Sequence, residues 1–308
     1  MINFRYHVVS LTAVFLALAI GLVVGTAALN GPVSENLRAQ LTALNKDNNA
    51  KRDQVNQYKE ELTRNQDFAN ETAPYVLGGK LATRKVAVVA LPGGGESADG
   101  VVKMLTVAGA TITARVTIED KFIDPNNANE LLDLADQSSQ PTISAASLPS
   151  NSDGVETAGA LLALTLQQGA TPASPADVTA VLAALSKAGY ISVADGAAGG
   201  AEEVVLVAGV PPTDKDAAKK TQNAVTVAAR FKSHPLVVAG TSVGDNNLVS
   251  EIRGDPTLVK EISTVDNAST VQGQVATAMA GYERLVQNKI GQYGLAAGAT
   301  SLVPSAAP

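Results

Sequence analysis

The 308-residue chain has no cysteine and no tryptophan, only two histidines and three methionines, and just six tyrosines and five phenylalanines. Without thiols there is no disulfide framework, no thiolate zinc site and no thiol catalysis. The same absence suits an exported protein as well as a cytosolic one, so it sets no compartment. Soft ligands for copper(I) are scarce. Met104, Met279, His7 and His234 stand far apart, with no M-x-x-M or H-x-H cluster, and no metal site is expected. Positive charge is also short: 23 Lys and Arg against 29 Asp and Glu give a net charge of −6. A nucleic-acid binder usually carries a basic stripe, so no nucleic-acid partner is expected. Apolar residues make up 45% of the chain, enough for a real core.

Val8 to Leu29 runs 22 residues without a charge. As a helix it spans roughly 33 Å, about one hydrocarbon core. A cleaved signal peptide is the alternative, with Thr26-Ala27-Ala28 as its site, but its apolar core is usually about 7–15 residues. The expectation is a single-pass protein of the inner (plasma) membrane: a short cytoplasmic N-terminus (1–7), a transmembrane helix (8–29), and the bulk of the chain on the extracytoplasmic side. The charges flanking the span barely discriminate orientation. Gly21 and Gly25, four residues apart, form a flat strip on which two spanning helices can pair.

Gly31-Pro32 interrupts the helix, and Ser34 is placed to cap a new one. From there the positions Leu37, Leu41, Leu44, Asn48, Lys51, Val55, Tyr58, Leu62, Asn65, Ala69 and Thr72 are spaced alternately by four and three. That is the spacing of a coiled-coil seam, and it predicts a stalk over 34–73 ended by Pro74. With Leu41, Asn48, Val55 and Leu62 at a, Asp47 at g and Arg52 at e would pair across a parallel dimer. A lone amphipathic helix packed on the next domain is the alternative. Asn48, Lys51 and Asn65 weaken a self-paired seam and could set register or favour a different helix.

Beyond Gly78-Gly79 the pattern alternates. Short β-branched runs at 85–91, 111–118, 204–208, 236–239 and 261–265 read as strands. Helical patterns fall at 97–108, 155–168, 176–188, 215–231 and Thr270 to Ile290, the last capped by Ser269. Residues 137–154 read as loop. This rhythm predicts an open, mostly parallel α/β (Rossmann-like) head over 80–294. Its small-residue tail, 295–308, is expected to be disordered.

Two catalytic patterns occur in the head. Gly93, Gly95 and Ala98 satisfy G-x-G-x-x-A after a strand, and Glu119 ends the next strand, the layout of a dinucleotide fingerprint. Glu96, however, puts a carboxylate where the pyrophosphate should sit, so a plain strand-to-helix turn is the competing explanation. Gly240-Thr241-Ser242-Val243-Gly244 matches a nucleophile elbow. The base should be a histidine after Ser242, and the chain has none beyond His234, which precedes the same strand. Gly78-Gly79-Lys80 lacks the rest of a phosphate-binding loop. No catalytic residue and no cofactor is expected.

Ile2–Gly25, the heptad stalk, Val88–Gly94 (VVALPGG), Ser263–Ala268 (STVDNA) and Gly291–Gly294 (GQYG) together resemble the actinobacterial copper transporter family of MctB/SteB type. The resemblance implies two different roles. One branch is named for copper efflux through an envelope pore. The other implies pairing with a SteA-like membrane protein and control of cell-wall biogenesis and division through a peptidoglycan hydrolase. The family's last motif is expected to read Gly-His-Tyr-Gly, and Gln292 stands in the histidine place. A single helix without a polar stripe makes a poor pore, so the second role is the leading expectation.

Overall fold

The computed structural model describes residues 4–30, 32–170, 172–241, 244 and 246–305. The chain divides into two compact units, Met1–Asn65 and Gln66–Pro308.

In the first unit, α1 covers Phe4–Asn30 and the 46-residue α2 begins at Pro32 and runs to Leu77 in the second unit. Phe4–Ala27, with a mean hydropathy of 2.6, is long and apolar enough to cross a membrane, and none of it is buried against the protein. The hydroxyls of Thr12 and Thr26 donate back to the carbonyls of Val8 and Leu22, so these polar groups do not oppose an apolar surrounding. α2 starts three residues earlier than a Ser34 cap requires. Proline at the first helical position lacks only an N–H that would have been unpaired there, and its φ suits a helix.

Pro74 does not end α2, which continues to Leu77. The last turns belong to the second unit, where Ala73 and Leu77 are buried with Leu81, Val101, Met104 and Leu105. That burial offsets the backbone bond lost to the proline. The helix stops at Gly78, whose N–H donates to the Pro74 carbonyl at 3.0 Å, and at Gly79, whose φ of +75° suits glycine.

The head is a seven-stranded sheet: β1 (Lys85–Ala90), β2 (Thr111–Ile118), β3 (Ile191–Val193), β4 (Glu203–Val207), β5 (Leu236–Ala239), β6 (Ser263–Val265) and β7 (Gln292–Tyr293). Their order is β3-β2-β1-β4-β5-β6-β7, all parallel except the edge strand β3, which runs antiparallel to β2. The central strands are buried on both faces, which is why they read as continuous apolar runs. Two helices, α3 (Gly95–Val107) and α10 (Val271–Val286), cover one face with Val86, Val88, Val205 and Val207 beneath them. The other face carries α5 (Ala128–Gln137), α6 (Gly154–Leu166), α7 (Pro175–Lys187), α8 (Ala217–Phe231) and α9 (Leu248–Gly254), with the short α4 (Asp120–Ile123) at the strand ends.

Four expectations are corrected. α5, β3 and β7 were not foreseen, because a ten-residue helix and strands of two or three residues hold little periodicity of their own. α10 is capped by Thr270 rather than Ser269: the Thr270 hydroxyl accepts the Gly273 N–H at 3.1 Å. The same helix ends at Val286, not Ile290. The tail, finally, is ordered through Ser305. Gly294 N–H donates to Ser301 O, and Thr300 N–H to Gln292 O. Asp266 takes the N–H groups of Leu295 (2.7 Å) and Ala296 (3.0 Å).

Candidate functional site

The chain leaves β1 toward β2 and leaves β4 toward β5, in opposite directions. The crevice between the two departing loops is the topological switch point where open α/β sheets bind ligands. Here much of it is closed by backbone. Gly93 has φ +72°, and a Cβ on Gly94 would strike the carbonyl of Val207 and come within 3.2 Å of Gly209 N. A Cβ on Gly209 would in turn strike Gly93 and Pro92. These glycines let two loops touch where a pyrophosphate would need space.

The residues singled out as a fingerprint are not assembled into one site. Gly93 lines the crevice, and Gly95 opens α3 with nothing within 4 Å of its Cβ position. Glu119 accepts a hydrogen bond from Ser192 on β3, and its backbone is bonded to Tyr190. The close contacts of Gly94 and Gly209 give the glycine turn a packing role.

A cavity of about 250 Å³ remains beside the turn, walled by Leu91, Pro92, Ile123, Pro211 and Leu248. Its cation, Lys220, holds Asp214 at 2.6 Å. That bond, followed by the more distant carboxylates of Asp120 and Asp124, pushes the Lys220 ammonium pKa up. The Lys220 bond and the Asp216 N–H push the Asp214 carboxyl down. Asn247 is occupied too: its amide donates to the Thr241 carbonyl, and its oxygen accepts the N–H groups of Val249 and Ser250 that open α9. Ser242 lies outside the described residues. His234 sits before β5 beside Ser233, at 3.3 Å, in a separate cavity of about 530 Å³ that also takes in Arg230 and Lys232. Seven residues of extended chain place it roughly 20 Å from the Thr241 end.

Among the described residues no three His, Cys, Asp or Glu side chains gather as a metal site. Met104 is buried under the sheet, and Met279 lies on α10. Gln292 is buried and saturated. Its amide donates to the carbonyls of Val259 (3.1 Å) and Ile262 (3.0 Å), and its oxygen accepts from Thr264.

In the first unit the foreseen stripe is present and uncovered. Leu37, Leu41, Leu44, Val55, Tyr58 and Leu62 are 50–69% exposed. Lys51 is held by Asp47 on its own helix at 3.0 Å. The stripe's later position Ala69 is buried in the second unit, so Leu62 is its last large free apolar residue. Gly21 and Gly25 lie on open helix surface.

The C-terminal motifs form a network that the sequence did not reveal. Asp266 is fully buried, and Arg253 of α9 reaches it at 2.7 Å. The same guanidinium donates to Thr264 Oγ1 (2.8 Å), Tyr293 O (2.7 Å) and Ala297 O (3.2 Å). Tyr293 donates its hydroxyl to buried Glu283 of α10, and burial followed by that carboxylate pushes the phenol pKa far up. STVDNA and GQYG thus lock β6, β7 and the tail together. Nothing in the local pattern around Arg253 marks it as their partner.

The chain matches, over residues 1–304, the family described as MctB, copper transport outer membrane protein. It belongs to the MctB family. A relative from Mycobacterium tuberculosis H37Rv named copper transporter MctB is 29% identical over 314 residues, covering 99% of this chain and all of the relative. A Mycobacterium bovis protein of the same name matches to the same extent. The Mycobacterium leprae copper transporter MctB is 30% identical over 318 residues, 98% of this chain and 99% of its own. The MctB match runs through both units of the chain.

Proposed function

We propose that this MctB-family chain is a non-catalytic, membrane-anchored envelope protein that works by pairing. α1 anchors it in the inner membrane, with the bulk of the chain outside. The stripe from Leu37 to Leu62 takes a parallel helix, from a SteA-like membrane protein or a second copy. Through that contact the protein modulates cell-wall biogenesis and division, by way of a peptidoglycan hydrolase. The observation that carries this reading is the uncovered stripe. Six large apolar side chains at coiled-coil spacing lie exposed along the helix within the first unit. Copper transport or homeostasis is the second reading, favoured by the names of the relatives.

The test is crosslinking in cells from photoreactive residues placed along the stripe, in wild type and in Leu41→Asp/Leu62→Asp. Two carboxylates in a seam cost several kcal/mol unless paired. The double variant should lose its stalk crosslinks, keep a folded head, and show division or wall defects without copper sensitivity. Surviving crosslinks would refute the seam. Lost crosslinks with copper sensitivity as the sole phenotype would transfer the function to copper.

A further inference from the structure

Glu203 opens β4 with its side chain turned toward the face that α10 covers. The residue is fully buried, and neither carboxyl oxygen has a hydrogen-bond partner. α10 lies close over it, since a Cβ on Gly281 would come 2.9 Å from Oε2. A carboxylate without partners in such a place is strongly disfavoured, so the acid carries its proton. Burial pushes its pKa well up, against the pull of the Arg284 and Arg84 charges and with help from Glu202.

Two guanidinium nitrogens near it are also unsatisfied. Arg84 Nε and Arg284 Nε are both buried without a hydrogen-bond partner. Arg84 Nε lies 3.1 Å from Glu202 Oε2 but out of line for a bond, and that oxygen already accepts the Lys85 N–H at 3.0 Å. Arg284, three residues past Gly281 on α10, holds Asn288 through Nη1 at 2.6 Å. A neutral acid with no hydrogen-bond partner and two guanidinium Nε–H groups that make no hydrogen bond thus meet at one helix–strand contact, although the Arg84 charge itself is paired with Glu202.

From this arrangement we infer that α10 has two seatings on β4, chosen by the proton on Glu203. With the proton on, α10 lies flat on the acid through Gly281. With it off, the carboxylate draws in Arg284 Nε and Arg84 Nε, and α10 lifts or rolls to deliver them. Glu283 on the same helix is bonded to the Tyr293 hydroxyl, so the movement passes to β7 and the tail. Besides Arg84 and Arg284, the charged group acting on Glu203 is Glu202 at the strand start. His234, at the head of β5, opens on the opposite face of the sheet. The sign follows from a raised carboxyl: the flat seating is complete in acid and is lost as pH rises through the folded value. The inference holds whichever partner α2 takes.

Hydrogen exchange of the full chain in detergent, at pH 5 and pH 8 and corrected for intrinsic rates, tests it. Peptides covering 271–286 should exchange at least tenfold faster at pH 8 in wild type. In Glu203→Gln they should exchange equally at the two values. A wild-type α10 indifferent to pH, or a Glu203→Gln variant as pH-dependent as wild type, overturns the proposal. Arg284→Gln leaves the acid seating intact but removes a partner of the ionised form, so its α10 should match wild type at pH 5 and exchange faster at pH 8. This variant decides the matter alone if Glu203→Gln does not fold, and wild-type exchange at both values overturns the pairing.

Discussion

Replacing Arg253 by methionine should be among the most costly single changes in the head. The ion pair with Asp266 is 2.7 Å long, and its side chains are 5% and 0% exposed. Removing one partner of a buried pair leaves the other charge uncompensated, at about 3–5 kcal/mol. Asp266 keeps the Leu295 and Ala296 N–H groups, which argues for the lower end. At the same time the carbonyls of Tyr293 and Ala297 lose their guanidinium donor. For a domain of this size a loss of about 3 kcal/mol lowers the melting temperature by roughly 6–12 °C. Thermal unfolding of the full chain in detergent, followed by far-UV circular dichroism, measures it. Protease digestion at 295–301 should become fast below the melting point, because those residues are held by this network. Arg253→Met/Asp266→Asn should recover part of the loss, since no charge is then stranded and the amide oxygen can still accept one of the Leu295 and Ala296 N–H groups. A single variant within about 1 kcal/mol of wild type, or a double variant no better than the single, would refute the assignment of the tail's order to this pair.

The glycine turn makes a second case: Gly94→Ala and Gly209→Ala should each cost about 1–3 kcal/mol, as overpacking does, while Gly95→Ala, with open space at its Cβ, should be near neutral. Urea midpoints separate these outcomes, and equal effects at all three positions would contradict the packing explanation. A third case concerns acid stability. Asp177 accepts the hydroxyl and, at 2.9 Å, the N–H of Thr142, and these bonds hold its carboxyl below the usual range. A depressed carboxyl contributes stability above its unfolded pKa, near 3.9, and loses it as pH falls through the folded value. Thr142→Val should therefore flatten the fall in stability between pH 4 and pH 2, read from urea midpoints across that range; an unchanged acid limb would sink the account.

Much of the fold was legible because its signals are local and repeated. β1, β4 and β5 sit in the sheet interior, so both faces demand apolar side chains and the runs stand out. The spanning helix needs some twenty consecutive apolar residues, and the stripe on α2 repeats over many turns. Other elements left little local trace. β3 and β7 exist because neighbouring strands pair with them, and residues 295–305 are ordered because Asp266 and Arg253 capture their backbone groups. Pro74 looked like a helix stop, and burial of Ala73 and Leu77 outweighed it. The fingerprint Gly93, Gly95 and Glu119 was legible as spacing, but spacing does not state whether a loop such as Gly209 already fills the place of the ligand.

By itself the sequence determined the apolar span, the heptad stripe, the parallel α/β rhythm and the absence of thiol chemistry. Each is a property of composition or period, and each is enforced at every turn by the need to hide or expose apolar surface. Tertiary structure decided which polar residues are buried and against what: Arg253 with Asp266, Tyr293 with Glu283, and Glu203 with no partner. Such partners lie ten or more residues apart and meet only after the sheet has formed. A glutamate bound for solvent and one bound for the core are written with the same letter, and their difference in free energy comes from the water removed and the donors supplied around them.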